Sequence, residues 1–206
     1  MGLFPIFVDI KDKTCIVIGA GDVASRKIAT LLQYDIAITV ISPSICDSVM
    51  KLQEEEKIKI IKRHYICGDL EGAYMVLACA SVCINLNVYE EIKKKSVYFN
   101  CAKPGNLSNF IFPAVIKRGE LSIGITTSGA SPSLTKRMRI QIEDSLPYAI
   151  ESYTTILKEF RTTVIEDIKS QELRKQILNK AVELIDYNLE PELYRKKILK
   201  LLEGSI

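Results

Sequence analysis

The six residues Gly19-Ala20-Gly21-Asp22-Val23-Ala24 constrain this chain more than any others. They follow a short β-rich apolar run, Thr14 to Ile18. They lead into Val23 to Tyr34, where Val23, Ile28, Leu31 and Leu32 recur at helical spacing. In a GxGxxA loop between strand and helix, the first glycine makes a tight turn and the second lets a pyrophosphate approach the backbone. The third, small residue allows the helix to pack closely on the strand. The helix N-terminus then faces the negative charge. In this setting the motif predicts a dinucleotide site. One usual part is missing: Ile41-Ser42-Pro43 stands where an acid would grip the adenosine ribose, so backbone groups and Ser42 are left to hold it.

The residues that follow repeat the alternation. Ala37 to Ile41 reads as a second strand stopped by Ser42-Pro43, Asp47 to Glu56 as a helix, and Ile58, Ile60 and Ile61 as a third strand. Asp69 to Gly72 forms a turn before a buried strand, Tyr74 to Ala80. Asn87 to Lys95 reads as a helix and Val97 to Ala102 as another strand. Strands alternating with helices at this spacing predict an α/β fold, a Rossmann-type doubly wound parallel sheet.

Beyond that point the pattern changes. Phe110 to Ile116 and Leu121 to Thr127 are β-like runs around Lys117-Arg118-Gly119-Glu120, read as a hairpin or β-corner. Ser131 supplies an N-cap and Pro132 a first-turn proline for a helix running to about Leu146, where Pro147 breaks it. Nine of the ten glycines lie at or before Gly129, which leaves the remainder free to be helical, with Asn188 to Pro191 as its strong punctuation. The expected division is a Rossmann domain over 1–113, a β-hairpin/helix dimerisation region over 114–147 and a small all-helical domain over 148–206. Phe110 to Leu146 is apolar and more than a nucleotide fold needs, which marks it as the surface for a second copy.

Composition narrows the function. The 206 residues carry 28 Lys and Arg against 25 Asp and Glu, and a net charge of +3 is too small to argue for nucleic acid. Trp is absent and aromatics are 7%, so base-stacking platforms are not expected. The longest nearly apolar run, Ala73 to Leu86, is interrupted by Ser81 and Asn85 and is shorter than the roughly 20 residues of a membrane span. Met1 to Val8 lacks the basic start and cleavage site of a signal peptide. The six cysteines form no CxxC pair and sit largely in apolar runs, which suits a reduced, cytoplasmic setting. His64 is the single histidine and no cysteine cluster supports it, so no metal site is expected.

Five segments occur together and in order: Pro5-Ile6-Phe7, Ile18-Gly-Ala-Gly-Asp-Val-Ala-Ser-Arg-Lys27, Asp69-Leu-Glu-Gly-Ala73, Asn109-Phe-Ile-Phe-Pro-Ala114 and Thr127-Ser-Gly-Ala-Ser-Pro132. On these motifs the chain resembles the precorrin-2 dehydrogenase family of sirohaem biosynthesis, including the dehydrogenase module of sirohaem synthases. The resemblance covers about 3–147. It implies NAD⁺-dependent oxidation of precorrin-2 to sirohydrochlorin, and in some members insertion of ferrous iron. It also implies a homodimer joined through the hairpin and Ser131-helix regions. Carried over by residue, it implies a cofactor loop of Gly19, Gly21, Asp22 and Val23, with Ser42 and Pro43 near the adenosine. Asn100 and Cys101 fall near the nicotinamide half. The tetrapyrrole cleft takes Asn109, Thr127, Ser128 and Ser131.

The chain departs from that family at one position. Members commonly carry an Asp shortly after the Asn of the fifth strand, the usual candidate for acid–base work; here Asn100-Cys101-Ala102-Lys103 places Lys103 there. A lysine is protonated at neutral pH unless its surroundings depress its pKa, and it repels ferrous iron. The expectation is therefore a dehydrogenase with NAD as cofactor and a tetrapyrrole as substrate. The alternatives are a bifunctional dehydrogenase–ferrochelatase and a non-catalytic nucleotide-binding regulator. Simpler readings stand beside these roles. Ser128, Ser131 and Asn109 are favoured turn and cap residues, Lys136, Arg137 and Arg139 suit a solvated helix face, and His64 suits surface packing.

Overall fold

Strand β1 (Thr14–Ala20) is buried from Cys15 onward, as a run covered on both faces must be. Cys15 and Val17 point to one side of the sheet and Ile16 and Ile18 to the other. Helix α1 (Asp22–Leu31) lays Ala24, Ile28 and Leu31 on the first side, joined by Val49 of α2 (Asp47–Glu54). Helix α3 (Val82–Ile92) covers the second side with Val88 and Ile92. The remaining strands are β2 (Ala37–Ile45), β3 (Lys59–Ile61), β4 (Met75–Ala78) and β5 (Tyr98–Cys101). All pair in parallel in the order β3-β2-β1-β4-β5. Strand order reverses between β1 and β4, and ligands of doubly wound sheets bind at such a switch point, beyond the carboxyl ends of the strands. The computed structural model describes residues 3–203; the outermost positions of the expected domains, 1–2 and 204–206, lie outside them. The chain divides into two compact units, Met1–Phe112 and Pro113–Ile206.

Three local expectations are corrected in the first unit. Strand β2 does not stop at Ser42-Pro43 but continues to Ile45. Ile18 pairs with Ile41 and Ala20 with Ile45, so β2 gains extra residues in a bulge, and the missing N–H of Pro43 falls where the ladder is already interrupted. Helix α3 begins at Val82, not Asn87, because Ser81 caps it by accepting from the Ile84 N–H; in the run from Ala73 to Leu86 only Ser81 and Asn85 interrupt the apolar residues, too few to show a period that separates strand from helix. It ends at Ile92, short of Lys95. The β3–β4 crossover has no helix. The Arg63 guanidinium forks onto Asp69 at 2.7 and 2.6 Å, and the Tyr65 hydroxyl donates to Glu91, which together pin this loop.

In the second unit β6 (Ala114–Arg118) and β7 (Leu121–Ile125) form an antiparallel hairpin around Gly119-Glu120. Helix α4 (Pro132–Ser145) starts as the sequence predicts, with Ser131 Oγ accepting from the Leu134 N–H at 3.2 Å. None of its residues is buried. Helices α5 (Ile150–Asp167), α6 (Gln171–Glu183) and α7 (Pro191–Glu203) follow. The break between α5 and α6 has no glycine or proline to announce it. Ser170 caps α6, and Arg174 donates to the carbonyls of Ile168 and Ile165 at 2.6 and 2.7 Å. Tyr153, Ile156, Phe160 and Val164 give α5 one apolar stripe, and the rings of Tyr153 and Tyr194 stack at 4.5 Å. Among the described residues no helix is long and apolar enough to cross a membrane.

Candidate functional site

Gly19 takes φ +97°, and a Cβ there would lie 2.7 Å from the Cys79 carbonyl oxygen and 2.9 Å from the Ala80 nitrogen. Only glycine lets β1 and β4 converge this closely. Their ends open into a cleft of about 490 Å³ lined by Gly19, Gly21, Ser42, Pro43, His64 and Tyr65 among others, with no Asp or Glu in its wall. Gly21 caps α1 at φ −91°, makes no side-chain cap bond, and leaves its Cβ position with nothing within 4 Å. Asp22 and Val23, the first residues of α1, are exposed beside it. This is the room and the polarity that a pyrophosphate needs, and the residues fit a dinucleotide. Ser42 is buried and its hydroxyl donates to the Ser44 carbonyl at 2.6 Å, so only its lone pairs remain for a ligand. Pro43 is exposed beside it.

A second cleft, of about 480 Å³, shares Cys79 and Ala80 with the first. Its wall brings together Val23 and Lys27 of α1, Asn100 and Cys101 of β5, Lys103, and the rings of Phe110 and Phe112. Buried Asn100 donates from Nδ2 to the Phe110 carbonyl at 3.0 Å, which turns Oδ1 to accept from the Lys27 ammonium. That ammonium also lies 5.1 Å from the centre of the Phe112 ring. Burial lowers the Lys27 pKa, opposed by the neighbouring Cys79 and Cys101. Burial in turn pushes both thiols up, so they remain protonated at neutral pH. Lys103 is exposed, and its carbonyl is held by Asn85 Nδ2 at 2.9 Å, while the rest of the Asn85 amide closes on Ala80 at 3.0 and 3.2 Å.

The remaining residues singled out in the sequence have local partners. Asn109 accepts from the Phe99 N–H at 2.8 Å and donates to the Val97 carbonyl at 2.7 Å, which fastens the segment after Ser108 to β5. Thr127 and Ser131 belong to the second unit, where Thr127 Oγ1 accepts from the Ser131 N–H at 3.0 Å and Ser131 caps α4. Ser128 sits between them at φ +54°. Two polar residues that shape the clefts, Lys27 in the wall of the second and Asn85 buried behind Ala80 and Lys103, were not singled out as site residues, although both left a signal. Lys27 stands beside the apolar stripe of Ala24, Ile28 and Leu31, and Asn85 interrupts an apolar run.

Known proteins match both units. The family described as "Putative NAD(P)-binding" matches residues 6–114, and the one described as "Sirohaem biosynthesis protein central" matches 118–145. The chain is 32% identical over 165 residues to a siroheme synthase of Pseudoalteromonas atlantica, covering 80% of this chain and 36% of that protein. It is 32% identical over 181 residues to a siroheme synthase of Ruthia magnifica, covering 87% and 38%. The chain thus spans little more than a third of these relatives' length. The solved structure of SirC, a precorrin-2 dehydrogenase, superposes with a TM-score of 0.77 at 27% identity, over 98% of this chain and 100% of that one.

Proposed function

The chain belongs to the NAD(P)-binding family of sirohaem biosynthesis, and on that premise we propose that it is an NAD⁺-dependent dehydrogenase oxidising precorrin-2 to sirohydrochlorin. One observation carries the reading. Two clefts meet at Cys79 and Ala80 on the switch point of the sheet, with the open Gly21 cradle in the wall of the first. The pair suits a dinucleotide lying with its adenosine by Ser42 and Pro43, its pyrophosphate over Gly19, Gly21, Asp22 and Val23, and its nicotinamide by Asn100 and Cys101. When bound, NAD⁺ supplies the hydride acceptor. The chain's own residues do the positioning. Asn100 and the Phe110–Phe112 wall shape the cleft, and Lys103 at its rim meets a carboxylate of the macrocycle. Asn109 acts by holding that wall in place. Thr127, Ser128 and Ser131 of the 114–147 region keep the substrate-binding role that the family resemblance implies. The proton that leaves with oxidation goes to water, since the second cleft offers two ammonium groups and no carboxylate. The same charge argues against iron insertion, which needs an acceptor for two pyrrole protons.

The reading extends to assembly and location. Helix α4 carries Leu134, Met138 and Ile140 exposed and buries nothing, and this favours a homodimer built through 114–147, with 148–206 as a helical domain. The six free cysteines favour the reducing cytoplasm. Incubation of the protein with precorrin-2 and NAD⁺, followed by absorbance, tests the central reading. Conversion to sirohydrochlorin is expected. Normal NAD⁺ affinity without conversion would make the protein a nucleotide-binding regulator instead, and iron insertion well above the spontaneous rate would refute the argument from Lys103.

A further inference from the structure

We infer that Lys27 sets the charge of the nicotinamide half of the site, so that the protein holds the reduced cofactor more tightly than the oxidised one. This rests on the reading above, that a nicotinamide dinucleotide occupies the two clefts. Lys27 lies in the second turn of α1, past the pyrophosphate loop, and reaches the wall of the second cleft rather than solvent. Its hydrogen-bond acceptor is the neutral Oδ1 of Asn100, and that amide is locked in orientation by the Phe110 carbonyl. Among the described residues no carboxylate comes within ion-pair distance of it. The cleft wall adds a second ammonium, Lys103, and no acid, and the two neighbouring thiols stay neutral. A partly buried positive charge with neutral partners imposes its field on whatever shares the cavity.

The two forms of the cofactor differ there by one charge. The oxidised nicotinamide ring is cationic and the reduced ring is neutral, while the adenosine and pyrophosphate parts are the same. A fixed cation therefore penalises the oxidised form alone, and a bound cofactor in this field is a stronger oxidant than a free one. That suits a site whose task is to accept hydride. Two unit charges about 10 Å apart at an effective dielectric constant of about 20 change a binding ratio by roughly tenfold.

The test is a pair of titrations, NADH by its own fluorescence and NAD⁺ by calorimetry, on the wild type, Lys27→Met and Lys27→Arg. The wild type is expected to favour NADH by roughly tenfold. Lys27→Met, similar in length and uncharged, should bring the ratio close to one by tightening NAD⁺ relative to NADH. Lys27→Arg should keep the wild-type ratio. A lysine that merely props up Asn100 would, when replaced, weaken both forms equally and leave the ratio unchanged, and that result overturns the inference. So does a wild-type ratio near one, which can be read even if Lys27→Met does not fold. Failure of the wild type to bind either form would instead remove the cofactor reading itself and the inference with it.

Discussion

Gly19 and Gly21 stand two residues apart, yet a Cβ would meet opposite surroundings at each, and a pair of substitutions separates backbone packing from the proposed cofactor approach. Alanine at position 19 must adopt φ +97°, and its Cβ would fall 2.7 Å from the Cys79 carbonyl oxygen and 2.8 Å from its carbon. Those atoms are the backbone at the end of β4 and cannot turn aside as a flexible side chain does. The left-handed backbone costs about 1–2 kcal/mol and the overpacking about 1–3 kcal/mol more. Gly19→Ala is therefore expected to lose about 2–5 kcal/mol, a fall of roughly 10 °C in melting temperature for a chain of this size. Aspartate at position 21 meets nothing within 4 Å and has no left-handed φ to adopt. It is a favoured N-cap, with a carboxylate at the positive end of α1, so Gly21→Asp should unfold at or slightly above the wild-type urea concentration. Its carboxylate would nonetheless occupy the pyrophosphate approach and repel it, abolishing NAD⁺ binding. Urea denaturation followed by circular dichroism, beside calorimetric NAD⁺ titration, reads both properties. Equal stability of the two variants, or unchanged NAD⁺ affinity in Gly21→Asp, would refute the assignment of the loop.

Other expectations follow from the same geometry. Leu134→Glu with Met138→Glu on α4 should convert a dimer to a monomer by sedimentation at micromolar concentration while leaving the helical signal intact; a wild-type monomer would sink the proposal. Lys103→Ala should raise the KM for the tetrapyrrole roughly two- to fivefold, as an exposed ion pair implies, with kcat little changed; an unchanged KM would remove Lys103 from the substrate site. The Asp69 carboxyl is held below its usual range chiefly by the Arg63 hydrogen bonds, against burial and with help from the Ile66 N–H. A depressed folded pKa gives stability that is present above the unfolded value of about 3.9 and lost as pH falls through the folded value. Arg63→Ala should therefore lower the urea midpoint at neutral pH and flatten its decline below about pH 4; a decline as steep as that of the wild type would contradict the role of this pair.

What the sequence made legible was local chemistry with a strict geometric requirement. The glycine loop, the Ser131-Pro132 helix start and the Gly119-Glu120 hairpin each need particular residues at particular places, and all were readable. Strand order and helix limits were harder to read where residues are mostly apolar. Val82 to Leu86 offered no period to tell helix from strand, and Ser42-Pro43 looked like a stop because a bulge that tolerates proline depends on pairing across to Ala20. The partners of Asn85 lie as far away as Lys103, and Lys27 meets Asn100 across the sheet edge. Such contacts exist only once β4 and β5 are side by side. The helical unit hid its α5–α6 break for a similar reason, since Arg174 stabilises it through carbonyls nine and six residues earlier.

The central proposal is that the macrocycle is oxidised at the cleft on the β1–β4 switch point. Anaerobic conversion of precorrin-2 with NAD⁺, recorded as NADH and sirohydrochlorin formed by the wild type and by Gly21→Asp, measures this directly. Equal amounts of the two products from the wild type, and neither from the variant, is the predicted result. Conversion by Gly21→Asp at the wild-type rate would contradict it.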